Sequence, residues 1–426
     1  MEYKKVKLSE CCKSISDGDH LPPPKSQSGV PFITISNIDG DNQINFNGTM
    51  FVPDSYYDSL SEEKKARIGD ILYSVVGSFG KPVFINFDKG FVFQRHIAIL
   101  KPNDKVNSRY LYYVMLNPNF YYIADKMAIG VAQRTITLNS LRNMTVNLHD
   151  IAMQNAIVDV LSSIDKKIQC NNKINDNLQH QLKLLYDYWF TQFDFPDENG
   201  KPYRASGGAM VWNDVLKKQI PSNWTVTTAL DAGIYTSDFT ANGSFAGLAE
   251  NVKYNDGTPY AILVRIVDYN NNFAESDKFV YVNKHAYDYL KSCRLNGNEI
   301  IICNVGNVGV TFRCPILGMP MVLGPNGIVV NSEEYNDYLY MYYTSSEGQF
   351  KIQSISSGSI QKKFNKTDFR NMPLLLPPPD INNRFKEQYQ QKKRMCDNIW
   401  HENRKLTALR DWLLPMMMNG QATISD

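Results

Sequence analysis

The chain has 426 residues, too many for one hydrophobic core, so two or three domains are expected. With 45 Lys and Arg against 43 Asp and Glu, its formal charge of +2 excludes nucleic-acid binding by bulk basicity; local patches would have to supply it. Seven cysteines with no CxxC pair argue against a zinc site or a disulfide framework. The start, MEYKKVKLSECC, has no apolar signal core, and no run is long and apolar enough to span a bilayer, so a soluble, cytoplasmic protein with no membrane partner is expected.

Residues 1–150 read as a mixed α/β domain. The β-rich runs at 30–35 and 71–76 lie close to glycines, and helices are expected over 110–115 and 120–127. Asp150 is a natural N-cap for a long helix. Over 151–190, apolar residues recur with spacings of four and three at Ile157, Leu161, Ile164 and Ile168, then at Leu178, Leu182, Leu185 and Trp189. Asn171 and Asn175 fill the gap. Such a repeat, free of Gly and Pro, predicts a helix roughly 60 Å long with one apolar seam that needs a partner. Residues 191–220 lack a sustained apolar period, are rich in Gly, Pro, Ser, Asn and Asp, and read as a linker. Residues 221–380 form a second α/β domain. The last segment, 381–420, is a second long helix with a seam that includes Phe385, Ile399, Asn403, Leu406 and Leu413.

The second half repeats the first. Gly29-Val30-Pro31 recurs as Gly257-Thr258-Pro259, Gly69 as Gly297, and Gly130 and Gln133 as Gly358 and Gln361, all 228 positions on. Leu141-Arg142-Asn143-Met144 recurs as Phe369-Arg370-Asn371-Met372 at the same offset, and Gly77 and Gly80 as Gly306 and Gly309 one residue later. The same shift carries the first seam onto the second and Asn175 onto Asn403. The reading is therefore two copies of one unit, domain then helix, with the helices paired antiparallel around a polar layer at Asn171, Asn175 and Asn403. Two similar modules on paired rods suit a target with two halves, such as duplex DNA with two half-sites.

The connector FPDENGKPYRASGGAMVWND…IPSNW, the segment GDILYSVVGSFGK and the helix ends LYDYWF and LRDWLLPMMMNG resemble the specificity subunits of type I restriction–modification systems, over essentially the whole chain. The resemblance implies an α+β fold, with two pseudo-repeated target-recognition domains separated by two long antiparallel coiled-coil helices. It implies that each domain reads one half of a bipartite, asymmetric double-stranded DNA target. It also implies that the helices set the gap and dock two methyltransferase subunits, which restriction subunits then join. The chain itself would be non-catalytic and hold no cofactor; S-adenosylmethionine, ATP and Mg would belong to the partners. The second copy departs in detail, since the GDIL segment becomes Gly297-Asn298-Glu299-Ile300 and Lys81 becomes Val310.

Other motifs do not support an enzyme. Asn117-Pro118-Asn119-Phe120 looks like the base-pocket motif of adenine methyltransferases but fails at its third position. Gly77 to Pro82 looks like a phosphate-binding loop but has Pro82 where Ser or Thr is required. Asp194, Asp197, Glu198 and Lys201 look like a nuclease cluster on a loose linker. The rival readings are a single-chain restriction or methyltransferase fragment and a protein-binding scaffold. DNA contacts are expected at the first glycine turn with Ser78 and Lys81, at Gln94-Arg95-His96, and at Gln133-Arg134-Thr135. In the second domain they are expected at Arg265, Asn304, Asn307 and Gln361-Lys362-Lys363. Arg and Gln can read base edges, and basic turns position phosphates. The last helix carries eight Lys and Arg against four acids, an excess that suits DNA or an acidic partner as well as solvent.

Overall fold

The computed structural model describes residues 2–422 except 21, 41, 78, 131–132, 272, 274–277 and 359–360. The chain divides into two compact units, Met1–Asn171 with His401–Asp426, and Asn172–Trp400. Each takes one of the expected α/β domains together with part of both long helices.

The first unit runs β1 (Lys4–Lys7), β2 (Cys12–Asp17), β3 (Val30–Ile33), β4 (Met50–Val52), α1 (Asp54–Ser59), β5 (Ile71–Ser74), β6 (Pro82–Phe84), β7 (Val92–Phe93) and β8 (Ile97–Pro102). Then come α2 (Ser108–Leu116), α3 (Pro118–Met127), α4 (Leu138–Asn143), β9 (Thr145–Leu148) and the start of the long helix α5 (Ile151–Tyr186). An antiparallel sheet has the order β2-β8-β5-β6. A smaller one is β4-β3-β7, in which β3 and β7 run parallel, and β1 pairs with β9. The apolar runs of β5 and β8 are buried on both faces. Ile71, Tyr73, Ala98 and Leu100 face a core shared with Tyr110, Phe120, Ile157 and Leu161, while Leu72, Ile97 and Ile99 face Ile33, Phe91 and Phe93. The two-residue period of a strand thus feeds two cores from one sheet.

Polar caps set the helix starts. Asn107 Oδ1 accepts from the amides of Arg109 and Tyr110. Asn117 Oδ1 accepts from the Asn119 amide at 2.9 Å, with Pro118 opening α3, so the Asn117–Phe120 tetrapeptide is a helix cap. Asp150 Oδ1 accepts from the Met153 amide at 2.8 Å, as the sequence requires.

In the second unit α5 ends in a π-helical turn (Asp187–Thr191). There follow β10 (Met210–Asn213), β11 (Lys218–Pro221), β12 (Thr225–Thr228), β13 (Tyr235–Asp238), α6 (Phe245–Asn251), β14 (Ala261–Val264), α7 (Ile266–Asn270), β15 (Val280–Val282) and α8 (Lys284–Tyr289). Next are β16 (Arg294–Leu295), β17 (Ile300–Cys303), β18 (Thr311–Arg313), β19 (Met321–Leu323) and β20 (Gly327–Asn331). The unit closes with α9 (Asn336–Thr344), α10 (Ser346–Ser354), α11 (Lys366–Arg370), β21 (Pro373–Leu376) and the first part of the long helix α12 (Pro379–Met418), as far as Trp400. Its sheets are ordered β13-β20-β17-β18 and β15-β14-β19-β16, and β12 pairs with β21. The plan is that of the first unit, down to the parallel pair β14–β19 in the second sheet, which has four strands where the first unit has three, and a hairpin in which Ile300 faces Arg313 as Ile71 faces Phe84. Again one sheet feeds two cores, Ile300 and Ile302 on one side and Ile301 on the other.

Residues 191–220 are not a loose linker. Phe193, Phe195 and Trp224 are buried against one another, Phe195 stacks on Tyr203 at 4.7 Å, and β10 pairs with β11. These aromatics are irregularly spaced, so they pack without a period that would announce it. Asp194 and Asp197 accept backbone amides of Ala205 and of Asn199 and Lys201, and so shape turns. Among the described residues no group of three or more His, Cys, Asp or Glu could hold a metal ion, and no helix is long and apolar enough to cross a membrane.

Within each unit the helix segments pair antiparallel. In the first, Ile157 and Leu161 share a core with Leu414, Met417 and Met418, and Asp165 meets Arg410 at 3.3 Å. Asn171 Nδ2 donates to Asn403 Oδ1 at 2.9 Å and to Glu402 Oε2 at 2.7 Å. Ile164, Ile168 and Leu406 are half-buried. Leu413 is half-buried too, and its neighbour Leu414 takes the buried place. In the second unit Leu178, Leu182 and Trp189 are buried, with Leu185, Asn175 and Ile399 half-buried. Phe385 packs edge-on to Phe190 at 4.7 Å, and Gln179 donates to Cys396.

Candidate nucleic-acid interface

Three of the predicted segments of the first unit meet at Val75, just beyond β5. The Val75 amide donates to His96 O and its carbonyl accepts from the Ile136 amide, each at 2.9 Å. One residue on, Val76 bridges Thr135, and the Gly77 amide donates to Arg134 O at 3.0 Å. The β5–β6 hairpin, the turn 94–96 and the turn 133–135 therefore form one hydrogen-bonded cluster. Gln133 and Arg134 are exposed and Thr135 is half-buried.

The second unit builds the same cluster around Asn304. The Asn304 amide donates to Asn326 O at 3.1 Å and its carbonyl accepts from the Phe364 amide at 3.1 Å. Val305 bridges Lys363, and the Gly306 amide donates to Lys362 O at 3.0 Å. Gln361, Lys362 and Lys363 are all exposed. In both units a glycine opens the basic turn. Gly130 and Gly358 have φ of +91° and +105°, and a Cβ would lie 2.6 Å from Gln133 O and 2.4 Å from Gln361 O. Only glycine tolerates that backbone without strain.

A helix braces the hairpin turn in each unit, by different means. In the first, Phe79 stacks on Tyr121 of α3, with centroids 5.5 Å apart. In the second, Gln349 and Gln353 of α10 donate to Gly309 O and Val308 O at 2.8 and 3.0 Å. The same helices face the basic turns. Asp125 Oδ1 lies 3.2 Å from Arg134, which also donates to the Asp125 carbonyl. At the equivalent place Gln353 Oε1 accepts from Lys362 Nζ at 3.5 Å. Sequence reasoning missed Tyr121, Asp125, Gln349 and Gln353. The repeat offset of 228, applied to α3, would have paired Asp125 with Gln353.

The other expected contacts lie around these clusters or away from them. Ser78 lies outside the described residues. Lys81 is half-buried and its amide donates to Ser74 Oγ at 2.9 Å. Arg95 is exposed, and Gln94 and His96 are half-buried. Asn307 is exposed on the second hairpin turn. Asn304 Nδ2 donates to Phe364 O at 3.3 Å, an internal bond at the base of the cluster. Arg265 stands apart, before α7. Its guanidinium is held by Asp268 through two bonds of 2.6 and 3.1 Å and donates to Lys278 O, and the Asp268 hydrogen bonds raise its pKa. Its guanidinium is thus engaged within the unit.

Residues 1–180 match the family described as the type I restriction modification DNA specificity domain. Over those residues the chain is similar to the type I restriction–modification specificity subunits. It is 21% identical to the HindI specificity subunit of Haemophilus influenzae, over 85% of this chain and 89% of that one. It is 24% identical to the MjaIX specificity subunit of Methanocaldococcus jannaschii, over 76% and 71%. Its fold is similar to the crystal structure of a type I system S subunit from M. genitalium, with a TM-score of 0.51 at 15% identity over 100% of this chain and 97% of that one. As the family match ends at residue 180, the internal repeat is what extends the same unit plan through the second half of the chain.

Proposed function

We propose that this chain is the non-catalytic DNA reader of a type I complex, each unit recognising one half of a bipartite, asymmetric target. The observation that carries the reading is the repeated cluster: two units of different sequence keep the same backbone bonds around Val75 and Asn304 and present a polar, basic turn from each. A shared frame positions phosphates, and the side chains that differ between the units read bases. The long helices set the gap between half-sites and dock two methyltransferase subunits. S-adenosylmethionine, ATP and Mg act on the partners, and restriction subunits complete the assembly in the cytoplasm.

Mapping methylated adenines genome-wide, with and without this chain, tests the reading. A two-part motif that disappears with the chain supports it. Methylation that persists unchanged, or methylation by the purified chain alone, contradicts it.

A further inference from the structure

The two basic turns share a backbone but not a charge. In the first, Arg134 is exposed beside Asp125 at 3.2 Å, and Gln133 and Thr135 are neutral, so the four side chains sum to zero. In the second, Lys362 and Lys363 are exposed, Gln361 and the Asp125-equivalent Gln353 are neutral, and the sum is +2. Among the described residues neither lysine is in an ion pair. An acid that close to Arg134 either accompanies the guanidinium to a phosphate, where it repels, or must be pulled away first. A lysine held by a neutral amide carries no such opposition, and its ammonium displaces counterions from the duplex when it docks.

We propose that the turn at 361–363 carries the sequence-independent hold on the DNA backbone, while Asp125 neutralises its counterpart at 133–135. The inference rests on the DNA-reading function proposed above. It divides that function unequally: the second unit grips and the first depends more on its base contacts.

The test is the salt dependence of binding to a short duplex of arbitrary sequence, using the full chain assembled with its methyltransferase subunits. K362Q/K363Q should lower the slope of log affinity against log salt by about 1.8, two phosphates at about 0.9 each. R134Q should change it by less than half as much. D125N, which removes the negative charge beside Arg134 while its bond to the backbone carbonyl stays, should steepen it by about 0.9. All these side chains are solvent-accessible, and unchanged melting temperatures would show that the variants fold. Equal losses for R134Q and the lysine pair, an unchanged slope for the lysine pair, or no effect of D125N would each overturn the division of labour. Absence of duplex binding by the unmutated complex would instead overturn the DNA-reading function itself.

Discussion

The amide of Gly77 donates to the carbonyl of Arg134 at 3.0 Å, and the amide of Gly306 donates to the carbonyl of Lys362 at the same distance. This bond, made twice, ties each glycine hairpin to its basic turn. It makes the turn geometry a property of the backbone, so the side chains there can differ between units at no structural cost.

Gly130→Ala should therefore destabilise the first unit by about 1–3 kcal/mol, because alanine would have to hold φ near +91° and meet Gln133 O. Gly358→Ala should do the same to the second. Denaturant unfolding measures both; a loss below about 0.5 kcal/mol would mean that the turns relax freely.

Asn171 and Asn403 hydrogen-bond within the helix pair of the first unit. Asn171→Ala leaves Asn403 without that partner and should cost about 1–2 kcal/mol. Replacing both asparagines with leucine, N171L together with N403L, should recover that loss but weaken the choice of register. A double-mutant cycle read by thermal unfolding checks the coupling, which additive single effects would refute.

Asp165 accepts from the Tyr113 hydroxyl at 2.5 Å and faces Arg410 at 3.3 Å, both mostly buried. Burial first, then Asp165, pushes the Tyr113 hydroxyl far above its ordinary pKa, so the phenol keeps its proton at any physiological pH. Asp165→Ala removes the acceptor and part of the compensation for Arg410, and should cost the first unit about 2–3 kcal/mol. Tyr113→Phe should cost less, about 1 kcal/mol, in the same unfolding assay.

Much of this was legible in residue spacing. The offset of 228 between Gly130-Gln133 and Gly358-Gln361 marked the two turns, and the apolar 4-3 rhythm marked the long helix, with Asn171 and Asn403 meeting in the first unit while Asn175 falls in the second. The offset could not show that Asn304 works at the base of its cluster or that Asp268 engages Arg265, because those depend on where side chains turn. Phe193, Phe195 and Trp224 were unreadable for a different reason: an aromatic cluster closed by turns has no period. Leu413 was expected in the seam because the shift of 228 carries Leu185 onto it, but three turns of 3.6 residues from Asn403 reach 414, and Leu414 is the buried one.

If the long helices set the gap between half-sites, lengthening α5 and α12 together by one heptad should lengthen the gap and leave both half-site sequences unchanged. Inserting it in α5 alone should break the antiparallel register and destabilise the protein. Methylated-base mapping reads the first outcome; a changed half-site with an unchanged gap would remove the helices from that role.

The most direct measurement replaces residues 221–380 with the corresponding segment of a relative that methylates a different sequence, and maps the methylated adenines in a host carrying the hybrid. The account predicts that one half of the motif changes to that of the donor while the other half and the gap stay as they were. A hybrid that folds and methylates but alters both halves, or neither, would contradict one reader per unit.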